Sequence, residues 1–246
     1  MQPVDYDEIA SAYDRRYAVN SFDGIERCLR AFIGQARTVA ELGCGTGHWV
    51  RFASELPHRP SAVGLDRSSA MLAECHRLGP TTPLVQATAD RLPWRTAFDR
   101  VFCVNALHHF PNHSLVFREC SRVLHAEGAF LTIGLDPHRG VDQWWIYVYF
   151  PEALTADRSR YPGADVIRRG LTSAGFQRTE TIVAQHIPAR IPFAEAMAKG
   201  ILDRQSTSQL LVIGDTAWEA GIAKLRRDRP ELRADLRLYA TIGWRS

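Results

Sequence analysis

Three clusters in this 246-residue chain combine residue types and spacing that could do chemistry. The first is Glu41-Leu-Gly-Cys-Gly-Thr-Gly47. Glycine has no Cβ, so a turn of this composition can fold sharply and bring backbone N–H groups against a ligand. The dinucleotide fingerprint requires G-x-G-x-x-G; Gly43 and Gly45 fit it, but His48 stands at the last position. The second cluster is Asp66, closing Val63-Gly-Leu-Asp66. It follows the glycines by about 20 residues, a spacing that suits a carboxylate on ribose hydroxyls. The neighbouring Ser68 and Ser69 are available for helix capping, which leaves Asp66 free for such a role. The third is Asn105-Ala-Leu-His-His-Phe110. Imidazole titrates near neutral pH, so His108 or His109 can serve as a general base; either can equally bond the backbone as a structural residue. His109 and His113 have the i, i+4 spacing of a metal pair, but Pro111 interrupts any helix between them, so no metal is expected.

These clusters need strands and helices to hold them. Thr38–Leu42 reads as a short apolar strand running into the glycines, and 47–56 as the helix behind them. Ser61–Leu65 and Pro83–Ala87 read as further strands, with a helix between them capped by Ser68 and stopped by Gly79-Pro80. Phe98–Asn105 is apolar almost throughout, as a strand buried on both faces should be. A helix over 112–124 and a strand over Gly128–Leu135 follow. Alternation of this kind implies a parallel sheet with right-handed crossovers. Beyond 136 the pattern loosens. A helix is predicted over Pro162–Ala174, a weak strand over Phe176–His186, helix through 192–228 and a last strand over Leu236–Trp244.

Read together, these motifs resemble the class I S-adenosylmethionine-dependent methyltransferases, in their small-molecule branch (the methyltransferase type 11 kind). Val39–Gly47 matches that family's first motif, and Asp66 its acidic residue for the ribose. Ala87-Thr-Ala-Asp-Arg-Leu-Pro-Trp94 is similar to the third motif, G-D-A-x-x-L-P-F, with Thr88 where an adenine-contacting Asp usually stands. Asn105–Phe110 resembles the fourth motif. The N-terminal Asp5–Asp14 segment is similar to a helix that folds over the cofactor in many members. The resemblance implies a Rossmann-like, doubly wound, mainly parallel seven-stranded α/β sheet with an antiparallel last strand and helical, aromatic lid insertions. It implies S-adenosyl-L-methionine as cofactor, bound by Glu41, Gly43, Cys44, Gly45, Gly47, His48, Asp66, Arg67, Thr88, Ala89, Asn105 and Tyr13. His108 and His109 are the catalytic candidates.

Residues 136–235 are expected to form the lid of a single domain whose core is 1–135 and whose last strand is 236–246. Aromatic rings beside arginines there suit a planar or apolar acceptor bearing a negative group. Trp144, Trp145, Tyr149, Arg158, Arg160 and Tyr161, together with Tyr6, are therefore the candidate substrate contacts. The expected reaction is methyl transfer to a small molecule, O-methylation of a carboxylate or hydroxyl being favoured over N- or C-methylation.

Composition narrows the alternatives. Apolar residues make up 46 % and charged residues 23 %, ordinary globular values that exclude disordered and coiled-coil chains. A net charge of +3 does not advertise a nucleic-acid partner, which argues against an RNA- or protein-modifying enzyme. His48 argues against an NAD-dependent oxidoreductase, while an inactive cofactor-binding protein stays open. No apolar run approaches the ~18 residues of a membrane helix, and the acidic N-terminus does not read as a signal peptide, so a cytoplasmic monomer or homodimer with no membrane partner is expected. The five cysteines contain no C-x-x-C pair and read as reduced thiols. The excess of 28 arginines over 2 lysines points to a bacterial source.

Overall fold

Where the sequence places its glycines, the chain turns out of a buried five-residue strand and straight into a helix. The computed structural model describes residues 21–79 and 82–246. Helix α1 (Asp23–Ile33) comes first, burying Ile25, Leu29, Phe32 and Ile33 along one stripe. Strand β1 (Thr38–Leu42), helix α2 (His48–Ser54), strand β2 (Ser61–Asp66), helix α3 (Ser69–Leu78) and strand β3 (Leu84–Gln86) follow as two βαβ units. Strand β4 (Phe98–Val104) leads through a short 3₁₀ turn (Leu107–His109) to helix α4 (His113–Val123) and strand β5 (Leu124–Leu135). The capping residues behave as their chemistry dictates: Ser68 Oγ accepts the Met71 N–H at 3.0 Å, and Asn112 Oδ1 accepts that of Leu115 at 3.1 Å.

The described residues pack as two compact units. The larger comprises 21–134, 164–185 and 238–246, including helix α7 (Ala164–Ser173); the smaller comprises 135–163 and 186–237. Residues 164–185, expected in the lid, thus pack within the larger unit.

In the larger unit the strands lie in the order β3-β2-β1-β4-β5-β8, β8 being Glu231–Trp244, with β7 (Arg178–Pro192) also bonded to β8. β1 pairs in parallel with β2 and β4, placing Glu41 opposite both Gly64 and Phe102. Apolar side chains from one face of the sheet and from α4 and α7, among them Leu42, Val101, Cys103, Phe117, Phe130 and Leu171, form a core. The chain moves outward from β1 to β3, then returns to lay β4 on the other side of β1. That reversal is the switch point at which open α/β sheets bind ligands.

Strands β7 (Arg178–Pro192) and β8 (Glu231–Trp244) are 15 and 14 residues long, well beyond the segments predicted. No residue of β7 is fully buried, so its alternation was too weak to show its length. In the smaller unit, Gln143 and Trp144 form strand β6 against Asp235 and Ala234, bringing the strands to eight. That unit's helices are α5 (Trp145–Tyr149), α6 (Pro151–Arg160), α8 (Phe193–Ala198), α9 (Ser208–Leu211) and α10 (Asp215–Asp228). The continuous helical reading of 192–228 is corrected. Gly200 turns left-handed at φ +66°, a 3₁₀ turn follows, and α10 starts afresh after Gly214. The unit has its own core, centred on Trp145, Phe150, Leu210 and Leu225, in which Phe150 stacks on Trp218 at 5.4 Å. Gly221 is required there, because a Cβ would overlap the Phe150 ring.

Candidate cofactor site

Gly43, Gly45 and Gly47 all adopt positive φ, at +68°, +51° and +81°. A Cβ on Gly43 would stand 2.6 Å from the Ala106 Cβ, and one on Gly47 would overlap the Cys75 sulfur. The turn after β1 is therefore wedged against the turn after β4 and against α3, and only glycine satisfies both the dihedrals and the space. Its own N–H groups are partly spent inside the loop. Gly43 and Cys44 donate to the Leu65 carbonyl, and Gly47 to that of Cys44.

Asp66 closes β2 beside this turn. Its Oδ2 accepts the Gly45 N–H at 2.8 Å and its Oδ1 accepts the Ser68 N–H at 2.9 Å. Each carboxylate oxygen still has a lone pair for a further donor. Arg67 beside it is exposed, its carbonyl accepting from the Gln86 amide. Thr88 is exposed and Ala89 buried just beyond β3, with the Thr88 carbonyl held by the Arg91 N–H.

Glu41 is buried to 1 % exposure. It accepts a hydrogen bond from the Val50 N–H in the first turn of α2, while its Oε2 has no partner. Burial pushes its pKa well above the usual carboxylate range, with the Asp66 charge adding to the effect. Cys44 and His48 flank the loop. Cys44 is buried, and burial likewise raises its thiol well above the ordinary value. His48 sets its ring edge-on to Trp49 at 4.6 Å.

Asn105 stands at φ +52° on leaving β4, its N–H donating to the Ile133 carbonyl at 2.7 Å. The 3₁₀ turn after it carries His108 and His109, whose ring centroids are 3.8 Å apart. His113, weighed in the sequence only as half of a metal pair, holds this turn: its Nε2 donates to the Leu107 carbonyl at 3.0 Å. Burial lowers the His113 pKa, keeping its ring neutral with that nitrogen protonated. Among the described residues, no group of three His, Cys, Asp or Glu side chains could hold a metal ion.

Tyr6 and Tyr13 fall outside the described residues. The six acceptor candidates belong to the smaller unit. Trp144 meets Tyr147 edge-on at 5.3 Å, Tyr149 bonds Asp228 and lies under the Lys224 ammonium, and Arg158 is exposed with its Nε on the Pro137 carbonyl. Trp145 and Tyr161 are buried within that unit. Arg160 is paired to Asp157 at 2.5 Å. Asp157 is fully buried and also takes the Tyr147 hydroxyl at 2.7 Å; Gln209, which bonds both Asp157 and the Tyr161 hydroxyl, completes the group. Neither Asp157 nor Gln209 was singled out in the sequence, and Tyr147 was read there only as one of the lid aromatics. A lone Asp among arginines reads there as a solvated ion pair.

Comparison with known proteins agrees with this geometry. Residues 40–132 match the family model described as methyltransferase domain. The malonyl-[acyl-carrier protein] O-methyltransferase of Legionella pneumophila is 33 % identical over 115 residues, 44 % of this chain and 40 % of that protein. The phthiotriol/phenolphthiotriol dimycocerosates methyltransferase of Mycobacterium leprae is 28 % identical over 178 residues, 71 % of this chain and 64 % of that protein. The chain thus aligns with less than two thirds of the length of either relative. Among solved structures, a putative methyltransferase from an antibiotic biosynthesis pathway of Anabaena variabilis superposes with a TM-score of 0.67 at 18 % identity, over 90 % of this chain and 97 % of that one. At that identity the likeness establishes the fold. Among the described residues, no helix is long and apolar enough to cross a membrane.

Proposed function

We propose that this chain, which carries a class I S-adenosylmethionine-dependent methyltransferase domain, transfers a methyl group from S-adenosylmethionine to an oxygen of a small molecule. The observation that carries the reading is the cradle at the switch point: three left-handed glycines, Gly43 and Gly47 with no room for a Cβ, flanked by Asp66 and by the unpartnered oxygen of Glu41. A ligand with two vicinal hydroxyls and an ammonium group fits that donor and acceptor set. Asp66 takes the ribose hydroxyls, Thr88 and the Ala89 N–H take the adenine, and Glu41 takes the ammonium.

When bound, the cofactor supplies an electrophilic methyl carbon. The chain must then align the acceptor, exclude water and, for a hydroxyl, remove a proton. His108 and His109 sit on the turn after β4, at the ligand edge of the sheet, and one of them is assigned the proton. Clamped by His113, that turn keeps both imidazoles in place. A carboxylate acceptor needs no base. Acceptor selectivity is assigned to Trp144, Tyr149 and Arg158 of the smaller unit, with Trp145, Arg160 and Tyr161 shaping that unit's interior. One relative is named as an O-methyltransferase of malonyl-[acyl-carrier protein], which supports methylation at oxygen.

The test is turnover of methyl-labelled S-adenosylmethionine against a panel of small acids, phenols, alcohols and amines. Label on an acid or hydroxyl is the expected result; label confined to amines overturns O-methylation. Tighter binding of NAD than of S-adenosylmethionine overturns the cofactor assignment. In the same assay, Gln at position 108 or 109 is expected to cost about 10²–10⁴ in turnover with cofactor affinity nearly unchanged. Loss of affinity and melting temperature together in both variants assigns the two histidines to structure alone.

A further inference from the structure

Glu41 has features that cofactor shape alone does not explain. A carboxylate 99 % buried is costly unless its oxygens are matched. One oxygen is matched by the Val50 N–H, one of the free donors in the first turn of α2. The other, Oε2, is buried and has nothing. The charged and titratable groups around it do not neutralise it. Arg51 of α2 bears on it favourably, yet spends its guanidinium on the Thr46 carbonyl at 2.7 Å and the Cys75 sulfur at 3.7 Å. Asp66 at the end of β2 is a second negative charge. Burial pushes the Cys103 thiol of β4 up to about 12, and the Cys44 thiol of the glycine loop also rises, so neither brings a cation. His48 opens α2 with its ring against Trp49.

A carboxylate in this position has two ways to be satisfied. It can hold a proton, or it can meet a cationic donor. S-adenosylmethionine carries two positive groups, but its sulfonium has no N–H or O–H to give. Its α-ammonium has three. We propose that Glu41 exchanges one for the other: its carboxyl carries a proton while no cation stands at Oε2, and surrenders that proton to solvent when the cofactor's ammonium donates there. The inference rests on the cofactor assignment above and adds to it a proton released at a known residue. Binding is then coupled to pH. Affinity rises with pH from the ordinary carboxylate range up to the raised value of the free protein, at most tenfold per pH unit, and is flat above it.

The experiment is calorimetry of S-adenosylhomocysteine binding at one mildly acidic pH in phosphate and in imidazole, whose ionisation enthalpies differ. The difference in observed heat gives the protons released. The expected result is release approaching one proton per cofactor in the wild type, none with the desamino analogue, and none in Glu41→Gln, whose affinity also falls at least tenfold. Release that persists in Glu41→Gln, or binding to the wild type without release, overturns the proposal and leaves the cofactor assignment standing. No binding of S-adenosylhomocysteine to the wild type overturns the cofactor assignment itself. Should Glu41→Gln fail to fold, infrared difference spectroscopy of the wild type decides. Loss of a protonated-carboxyl band on binding supports the exchange, and an unchanged spectrum rejects it.

Discussion

Each unit of this protein buries a carboxylate, and the two are treated in opposite ways. In the smaller unit Asp157 is surrounded: the Tyr147 hydroxyl, the Arg160 guanidinium and the Gln209 amide all donate to it. In the larger unit Glu41 has one backbone partner and one oxygen with none. A satisfied buried charge ties its neighbours together, here α5, α6 and α9, and has nothing left for a ligand. An unsatisfied one stores a demand that only a ligand or a proton can meet. The contrast separates a residue that builds from a residue that binds.

The sharpest way to break this contrast is to remove the satisfied carboxylate. Asp157→Ala leaves Arg160 buried without its counter-charge, and Arg160 Nε already lacks a partner. The expected cost is about 3–5 kcal/mol of stability, read by denaturant unfolding, with cofactor affinity of any folded protein preserved. A variant that folds normally and loses cofactor affinity would reverse the roles of the two carboxylates. Next comes the loop that frames Glu41. Gly47→Ala imposes a Cβ on the Cys75 sulfur at a left-handed position, and an expected loss of about 1–3 kcal/mol should appear in melting temperature and cofactor affinity together.

At Asp66 the expected effect falls on cofactor affinity. Asp66→Ala removes the proposed ribose contacts and also frees the Gly45 and Ser68 N–H groups. Cofactor affinity should fall at least tenfold, about 1.5–3 kcal/mol per lost charge-assisted bond, and calorimetry showing no change would remove the ribose assignment. The smallest effect sharpens the contrast in the free protein. The Glu41 pKa is raised on folding, so the folded state binds its proton more tightly than the unfolded chain. The contribution of Glu41 to stability is then fully present below the ordinary carboxylate range and declines as pH rises toward the raised value, by at most about 1.4 kcal/mol per pH unit. Glu41→Gln should flatten that part of the stability–pH curve, and a variant with the wild-type slope would assign the slope to other groups.

The two units also differ in how far their sequence can be read. Gly43, Gly45 and Gly47 are legible because glycine suits their left-handed dihedrals, and at Gly43 and Gly47 the neighbours also leave no room for a Cβ. Ser68 is legible because capping is a local bond, made within three residues. The order β1 to β5 follows from alternation of short apolar runs with amphipathic helices. What could not be read depends on distant partners. Glu41 looks like any motif residue until the pairing of β1 between β2 and β4 buries it. His113 reads as half of a doubtful metal pair until the 3₁₀ turn brings the Leu107 carbonyl to it. Asp157, Tyr147 and Gln209 lie on three separate segments, and nothing local announces that they meet. The lengths of β7 and β8 escaped because half-exposed strands carry no clear period.

The first turn of α1 depends on a residue far along the chain. The Gln185 amide oxygen accepts the N–H of Gly24 at 2.6 Å and of Ile25 at 3.2 Å, across 161 positions of sequence. Phe22, where a local cap would stand, gives α1 no side-chain cap bond. During synthesis at ~5–20 residues per second, α1 therefore waits roughly 10–30 s for its cap to be made. Over that interval its amphipathic stripe, Ile25, Leu29, Phe32 and Ile33, must be shielded by the nascent β1–β5 sheet or by a chaperone. Gln185→Ala should accordingly tell more on the yield of folded protein at the ribosome than on the activity of the molecules that finish.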